Sequence, residues 1–111
     1  MLCPLRYGFN RNRCCQSNEI NLQQLEKMVE EGAILLDVRS PQEFEEGHIE
    51  KAISLPEYEI KASILQKLPD LSQTMVVYCN TGHRGQKAQK ILLKLGYQKV
   101  YNLYHGIENY N

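Results

Sequence analysis

Apolar residues recur along this chain first at helical spacing and then in short continuous runs. Leu22, Leu25 and Val29 share one helical face, with Asn21 placed to cap it and Gln24 at the reciprocal capping-box position. Gly32 ends that helix. Residues 33–38, Ala-Ile-Leu-Leu-Asp-Val, form a near-continuous apolar run, the pattern of a strand buried on both faces. Ser40 as N-cap, Pro41 at the first helical position and Glu43 reaching back predict a short helix that Gly47 stops. Residues 52–55 read as a short strand closed by Pro56. Ile60, Ile64, Leu65 and Leu68 mark a helical face ended by Pro69 and Asp70. Residues 74–78 form a second strongly buried strand. Ala88, Ile91, Leu92 and Leu95 then define an amphipathic helix that begins near Gly85 and ends at Gly96. Residues 99–103 are the last strand, and a short helical tail follows Gly106.

Strands alternating with helices predict an α/β fold: a three-layer α/β/α sandwich around a central, mostly parallel sheet of four to five strands. No repeat, low-complexity stretch or internal linker interrupts the pattern. Residues 1–17 carry Arg6, Arg11 and Arg13, no acid and no periodicity. They are expected to be a flexible lead-in, its arginines solvated, to one domain over residues 18–111.

Composition narrows the function. The 111 residues hold 13 basic and 13 acidic side chains, a formal net charge of zero. Nucleic acid and anionic membrane surfaces therefore receive no support as partners. No apolar run approaches the roughly 20 residues of a membrane span. The start, Met1-Leu2-Cys3-Pro4-Leu5-Arg6, lacks the apolar core of a secretory signal. A cytoplasmic, monomeric protein with reduced thiols is expected. Its cysteines, at 3, 14, 15 and 79, make a poor disulfide framework and a poor zinc pattern, so neither metal nor cofactor is expected. Cys14 and Cys15 read as an idle pair in the lead-in.

Cys79 is different. It follows the most apolar strand and opens the segment Cys79-Asn80-Thr81-Gly82-His83-Arg84-Gly85, just before a helix. In open parallel sheets, ligands bind beyond the carboxyl ends of the strands. The free N–H groups and the macrodipole of a helix start favour an anion there. Such surroundings bring a free thiol from about 8.5 down to roughly 3.5–7.5. Arg84 and His83 add positive charge, while Gly82 and Gly85 let backbone amides turn inward as an anion nest. Cys79 is the candidate nucleophile and residues 80–85 its loop.

These residues resemble the rhodanese family of single-domain sulfurtransferases over about residues 18–110. Tyr78-Cys79-Asn80-Thr81-Gly82-His83-Arg84 is similar to the family's C-x-x-G-x-R loop. Residues 36–44, Leu-Asp-Val-Arg-Ser-Pro-Gln-Glu-Phe, then Gly47-His48-Ile49 and residues 52–56, resemble its D-V-R, E-F/Y, G-H-I and A-x-N/S-I/L-P signature. A third likeness is Leu95-Gly96-Tyr97, Val100-Tyr101-Asn102-Leu103 and Gly106. The resemblance implies that sulfane sulfur moves from thiosulfate or a persulfide, through a Cys79 persulfide, to cyanide, a thiol or a sulfur-accepting protein, with no cofactor. Departures are specific. Asn80 and Thr81 stand where members specialised for thiosulfate often carry basic residues. Gly85 replaces a common Ser or Thr, and Tyr104-His105-Gly106 replaces a Gly-Gly pair.

Two rivals remain in view. A relay or binding module could share the fold and carry sulfur without turnover. Phosphatases and arsenate reductases use a C-x5-R loop, one residue longer than the spacing from Cys79 to Arg84, and need the wider ring of amides for a tetrahedral anion. Asp37, Arg39, Glu43 and His48 read as supports rather than an acid–base site: Arg39 is expected to pair with Glu43, and Asp37 or His48 to anchor loop backbone. His83 is expected to face solvent from the loop.

Overall fold

The computed structural model describes residues 18–110. A two-residue strand, β1 (Glu19–Ile20), comes first. The apolar runs become β2 (Ile34–Asp37), β3 (Ile53–Ser54), β4 (Met75–Tyr78) and β5 (Val100–Leu103). All five strands are parallel, in the order β1-β5-β4-β2-β3. In the centre Leu36 lies opposite Val77 and Asp37 opposite Tyr78.

Successive side chains of a strand point to opposite faces, and each face has its own helical cover. Met75 and Val77 face one way, against α3 (Ile60–Lys67) and α4 (His83–Lys94), with Ile60, Ile64, Ala88 and Leu92 all fully buried. Val76 and Tyr78 face the other way, with Leu25 of α1 (Leu22–Glu30) and Ile107 of the closing 3₁₀ turn (Ile107–Tyr110). The expected three layers are present. The short helix α2 (Pro41–Glu46) buries no residue and is held by its ends.

Both expected capping boxes form. Asn21 Oδ1 accepts from Gln24 N, and Gln24 Oε1 from Asn21 N, each at 2.8 Å. Ser40 Oγ accepts from Glu43 N at 3.2 Å, and Glu43 Oε1 from Ser40 N at 3.0 Å. Four details differ from expectation. Strand β1 had no apolar signature, because two residues show no alternation; it forms by pairing with β5, Glu19 beside Asn102. The hydrogen-bonded strands are shorter than their apolar runs, whose ends lie in the flanking turns. Leu65 shares the spacing of its helix but stays 46% exposed. Helix α4 begins at His83, not near Gly85, because Gly82 adopts the left-handed conformation (φ +99°) that turns the chain into the helix two residues earlier.

Strand order reverses between β2 and β4. From β2 the chain moves outward to β3; from β4 it moves outward to β5 on the other side. The loops after these two neighbours diverge and leave a crevice at their carboxyl ends, where parallel sheets place their ligands. Among the described residues no helix is long and apolar enough to cross a membrane. The expectations for residues 1–17, with Cys3, Cys14 and Cys15, lie outside the described residues.

Candidate active site

Strand β4 ends at Tyr78 and delivers Cys79 to the crevice, fully buried. Its Sγ accepts from Gly82 N at 3.0 Å and from Gly85 N at 3.4 Å. Gly82 is the N-cap of α4 and has no side chain to satisfy the first amides, so Gly85, three residues on, donates to sulfur instead. Cys79 thus performs the capping that a Ser or Asp N-cap performs elsewhere, with its sulfur at the positive end of the helix. The closing turn secures the loop from behind. Ile107 N donates to Cys79 O (2.8 Å) and Glu108 N to Asn80 O (3.0 Å). A Cβ on Gly106 would lie 2.4 Å from Asn80 O, so only glycine permits this approach.

Charged side chains from the β2–α2 loop meet the Cys79 loop across the crevice, but not in the expected pairs. Arg39 does not pair with Glu43. Its guanidinium is held by the fully buried Asp37, with Nη2–Oδ2 at 2.7 Å and Nε–Oδ1 at 3.0 Å, and Nη2 also donates to Gly47 O at 2.6 Å. Glu43 instead grips Arg84 with both oxygens, at 2.8 and 3.1 Å. Asp37 and Arg39 are only two residues apart at a strand end, and Arg84 reaches Glu43 from the first turn of α4. Asn80 joins the two pairs: its Oδ1 accepts from Arg39 Nη1 (3.1 Å) and its Nδ2 donates to Glu43 Oε2 (2.8 Å).

Titration follows from these contacts. Arg84, then the Ser40 backbone, hold the Glu43 carboxyl down at about 2, so it stays ionised. Glu43 raises Arg84, and the Cys79 charge adds to that effect. The hydrogen bonds that Arg39 donates to Asp37 raise Arg39. Burial pushes the Tyr78 hydroxyl up, which keeps it a donor to Asp37 Oδ2 (2.8 Å) while it accepts from Ile49 N (3.0 Å).

Of the expected loop residues, the structure brings the Gly82 and Gly85 amides to sulfur, and Asn80 and Arg84 into the charge network. Thr81 and His83 are exposed; Thr81 Oγ1 lies 3.3 Å from His83 Nδ1, and His83 is the first residue of α4. His48 is an exposed fixture of α2: its ring stacks on Phe44 (3.7 Å) and its Nδ1 donates to Phe44 O (2.8 Å). Asp37 does anchor loop backbone, accepting from Arg39 N at 2.9 Å. Sequence reasoning missed Tyr78 as the hydroxyl that orients Asp37, and Asn102 beneath the loop. Neither residue has a local signal, since Tyr78 meets Asp37 of β2 and Asn102 of β5 meets Gly82 at the start of α4. A groove of about 400 Å³ lies at the opposite end of the sheet, against Gly32, Asp70 and Thr74.

Similarity to known proteins agrees with this geometry. The model of the rhodanese-like domain family matches residues 21–111. Thiosulfate sulfurtransferase PspE of Escherichia coli K12 is 39% identical over 67 residues, 60% of this chain and 64% of that protein, so the match spans under two thirds of that relative. Thiosulfate sulfurtransferase GlpE of Pseudomonas syringae is 36% identical over 78% of this chain and 79% of that protein. The human single-domain sulfurtransferase TSTD1 superposes with a TM-score of 0.75 at 27% identity, covering 85% of this chain and 95% of that one. With sheet, loop and relatives in agreement, the chain belongs to the rhodanese-like domain family.

Proposed function

We propose that Cys79 is the sulfur-carrying nucleophile of a rhodanese-type sulfurtransferase. The observation that carries this is the Cys79 sulfur itself, which already takes the Gly82 and Gly85 amides at the start of α4. The thiolate attacks the outer sulfur of a donor. The donor's S–S bond breaks, its electron pair leaves with the leaving group (sulfite where the donor is thiosulfate), and Cys79–S–S⁻ forms. An acceptor nucleophile then attacks the terminal sulfur, and the electron pair of the S–S bond returns to Cys79. Both half-reactions are displacements at sulfur and need no metal or organic cofactor. The loop amides and the helix start stabilise the anion at each stage.

The relatives' names support thiosulfate as one donor, and in this reading the acceptor is cyanide or a thiol. A reducing, cytoplasmic setting suits an enzyme that returns to a free thiolate each turn. Residues 18–111 act as a single domain and a monomer in this reading. The burial of Cys79 favours a relay form of the same chemistry, in which a covered persulfide passes its sulfur to a protein acceptor that opens the loop. Phosphate transfer is disfavoured by the C-x4-R spacing, whose Arg84 is bound to Glu43.

Intact mass after exposure to thiosulfate tests the reading. One added sulfur is expected, removed by cyanide and absent in Cys79→Ser. An adduct that persists in Cys79→Ser, or none with any sulfane-sulfur donor, would falsify it. Efficient loading with very slow release to small thiols selects the relay form, and fast release selects the small-molecule enzyme.

A further inference from the structure

The side-chain charges around Cys79 cancel in pairs. Arg39 is held by Asp37, and Arg84 is gripped by both oxygens of Glu43. Asn80, a neutral side chain between the pairs, fixes both by bonding Arg39 with its oxygen and Glu43 with its nitrogen. Farther along α4, Lys87 is exposed and lies 3.7 Å from Glu57. The sulfur is therefore stabilised by backbone amides and the partial charge of a helix start, about half a unit, while both nearby guanidinium groups are occupied.

Donors differ in how much charge they bring here. Thiosulfate is a dianion, so its encounter with the thiolate carries three negative charges, and the products, Cys79–S–S⁻ and sulfite, carry the same three. An alkyl persulfide reacts as R–S–S–H. The thiolate attacks the outer sulfur, R–S⁻ leaves with the electron pair, and Cys79–S–S–H passes its proton to solvent. That encounter carries one negative charge.

We propose that Glu43 is a specificity-determining residue: by holding Arg84 it leaves a cradle that favours alkyl persulfides over the thiosulfate dianion. The proposal rests on the reading of Cys79 as a persulfide carrier. It assigns Asn80 a part as well. A neutral amide in place of a basic residue locks the neutralised network and adds no charge to it. Thiosulfate remains a usable donor, but a poorer one.

Charge rather than shape is the discriminating feature, so Glu43→Gln is the informative change. Glutamine can still close the capping box with Ser40, but it no longer neutralises Arg84. Turnover of the full chain with cyanide as acceptor is read as kcat/KM for two donors: thiosulfate and the persulfide of 2-mercaptoethanol, whose alkyl group carries no charge. The wild-type chain is expected to favour the persulfide by at least about tenfold. Glu43→Gln is expected to raise kcat/KM for thiosulfate by about tenfold, the effect of one partly screened charge, and to narrow the donor ratio accordingly. Adding Arg84→Gln to that variant should abolish the gain. A wild-type chain that uses thiosulfate as well as the persulfide overturns the proposal, as does a folded Glu43→Gln variant whose donor ratio is unmoved. If the variant does not fold, the wild-type ratio decides. Failure of both donors to place sulfur on Cys79 overturns the carrier reading itself, whereas loading with an unmoved ratio overturns only the donor choice.

Discussion

A Cβ at Gly85 would lie 2.0 Å from Oδ1 of Asn102, far inside any real contact. Asn102 is fully buried; its Nδ2 reaches both carboxylate oxygens of Glu19 (3.2 Å) and Gly82 O (3.4 Å), and its Oδ1 has no hydrogen-bond partner among the described residues. The amide thus fills the space under the very residue whose N–H points at sulfur. Gly85→Ala must push either Asn102 or the first turn of α4 aside, and so move the Gly85 amide off Cys79. Loading of sulfur, followed by mass in a single turnover, should slow roughly a hundredfold, as when one donor of an anion hole is lost. Gly85→Ala/Asn102→Ala should recover much of that rate. Wild-type loading by Gly85→Ala would remove the role given to this amide. Read from sequence alone, Gly85 stands where a Ser or Thr is common. The loop's nucleophile and its inward amides were legible because their spacing is local. The reason for Gly85 was not, because Asn102 arrives from another strand.

At the scale of elements, α2 shows how much six residues can depend on their ends. It buries no side chain, so its stability comes from Ser40, Pro41 and Glu43. Ser40→Ala removes the Oγ that accepts from Glu43 N and should cost about 1 kcal/mol. The midpoint of urea unfolding measures this, and an unmoved midpoint would show that α2 is held by something else. The caps of α1 and α2 could be read from sequence because each uses residues three apart. Strand β1 could not, since its existence depends on β5 rather than on its own two residues. The expected Arg39–Glu43 pair failed for a related reason. A spacing of four residues permits the contact, but Asp37 lies closer to Arg39 in the folded strand end, and Arg84 approaches Glu43 from the first turn of α4. Local geometry proposes such partners and tertiary approach selects among them.

Across the whole molecule, alternating apolar runs were enough to predict a parallel sheet with two helical covers, because burial on both faces leaves a mark in sequence. Strand order left no such mark, and it is the reversal between β2 and β4 that sets the Asp37–Glu43 segment opposite Cys79. The Glu43–Arg84 pair ties α2 to the start of α4, 41 positions away, across that reversal. Its contribution has a definite sign with pH. Glu43 falls from an ordinary 4.5 to about 2 on folding. The folded state thus favours the ionised carboxylate. The stabilisation is complete above about 4.5 and is lost as pH drops towards 2. Because the pair is partly exposed, at 39% for Arg84 and 28% for Glu43, solvent screening leaves about 1 kcal/mol. Urea unfolding between pH 5 and pH 2, ranges chosen to bracket about two units around this titration, should show the wild-type chain losing that much more stability than Glu43→Gln. The difference should shrink in about 1 M salt, where surface charges are screened within a few ångströms. Parallel pH curves for the two chains would mean that the pair aligns these two elements without stabilising the fold.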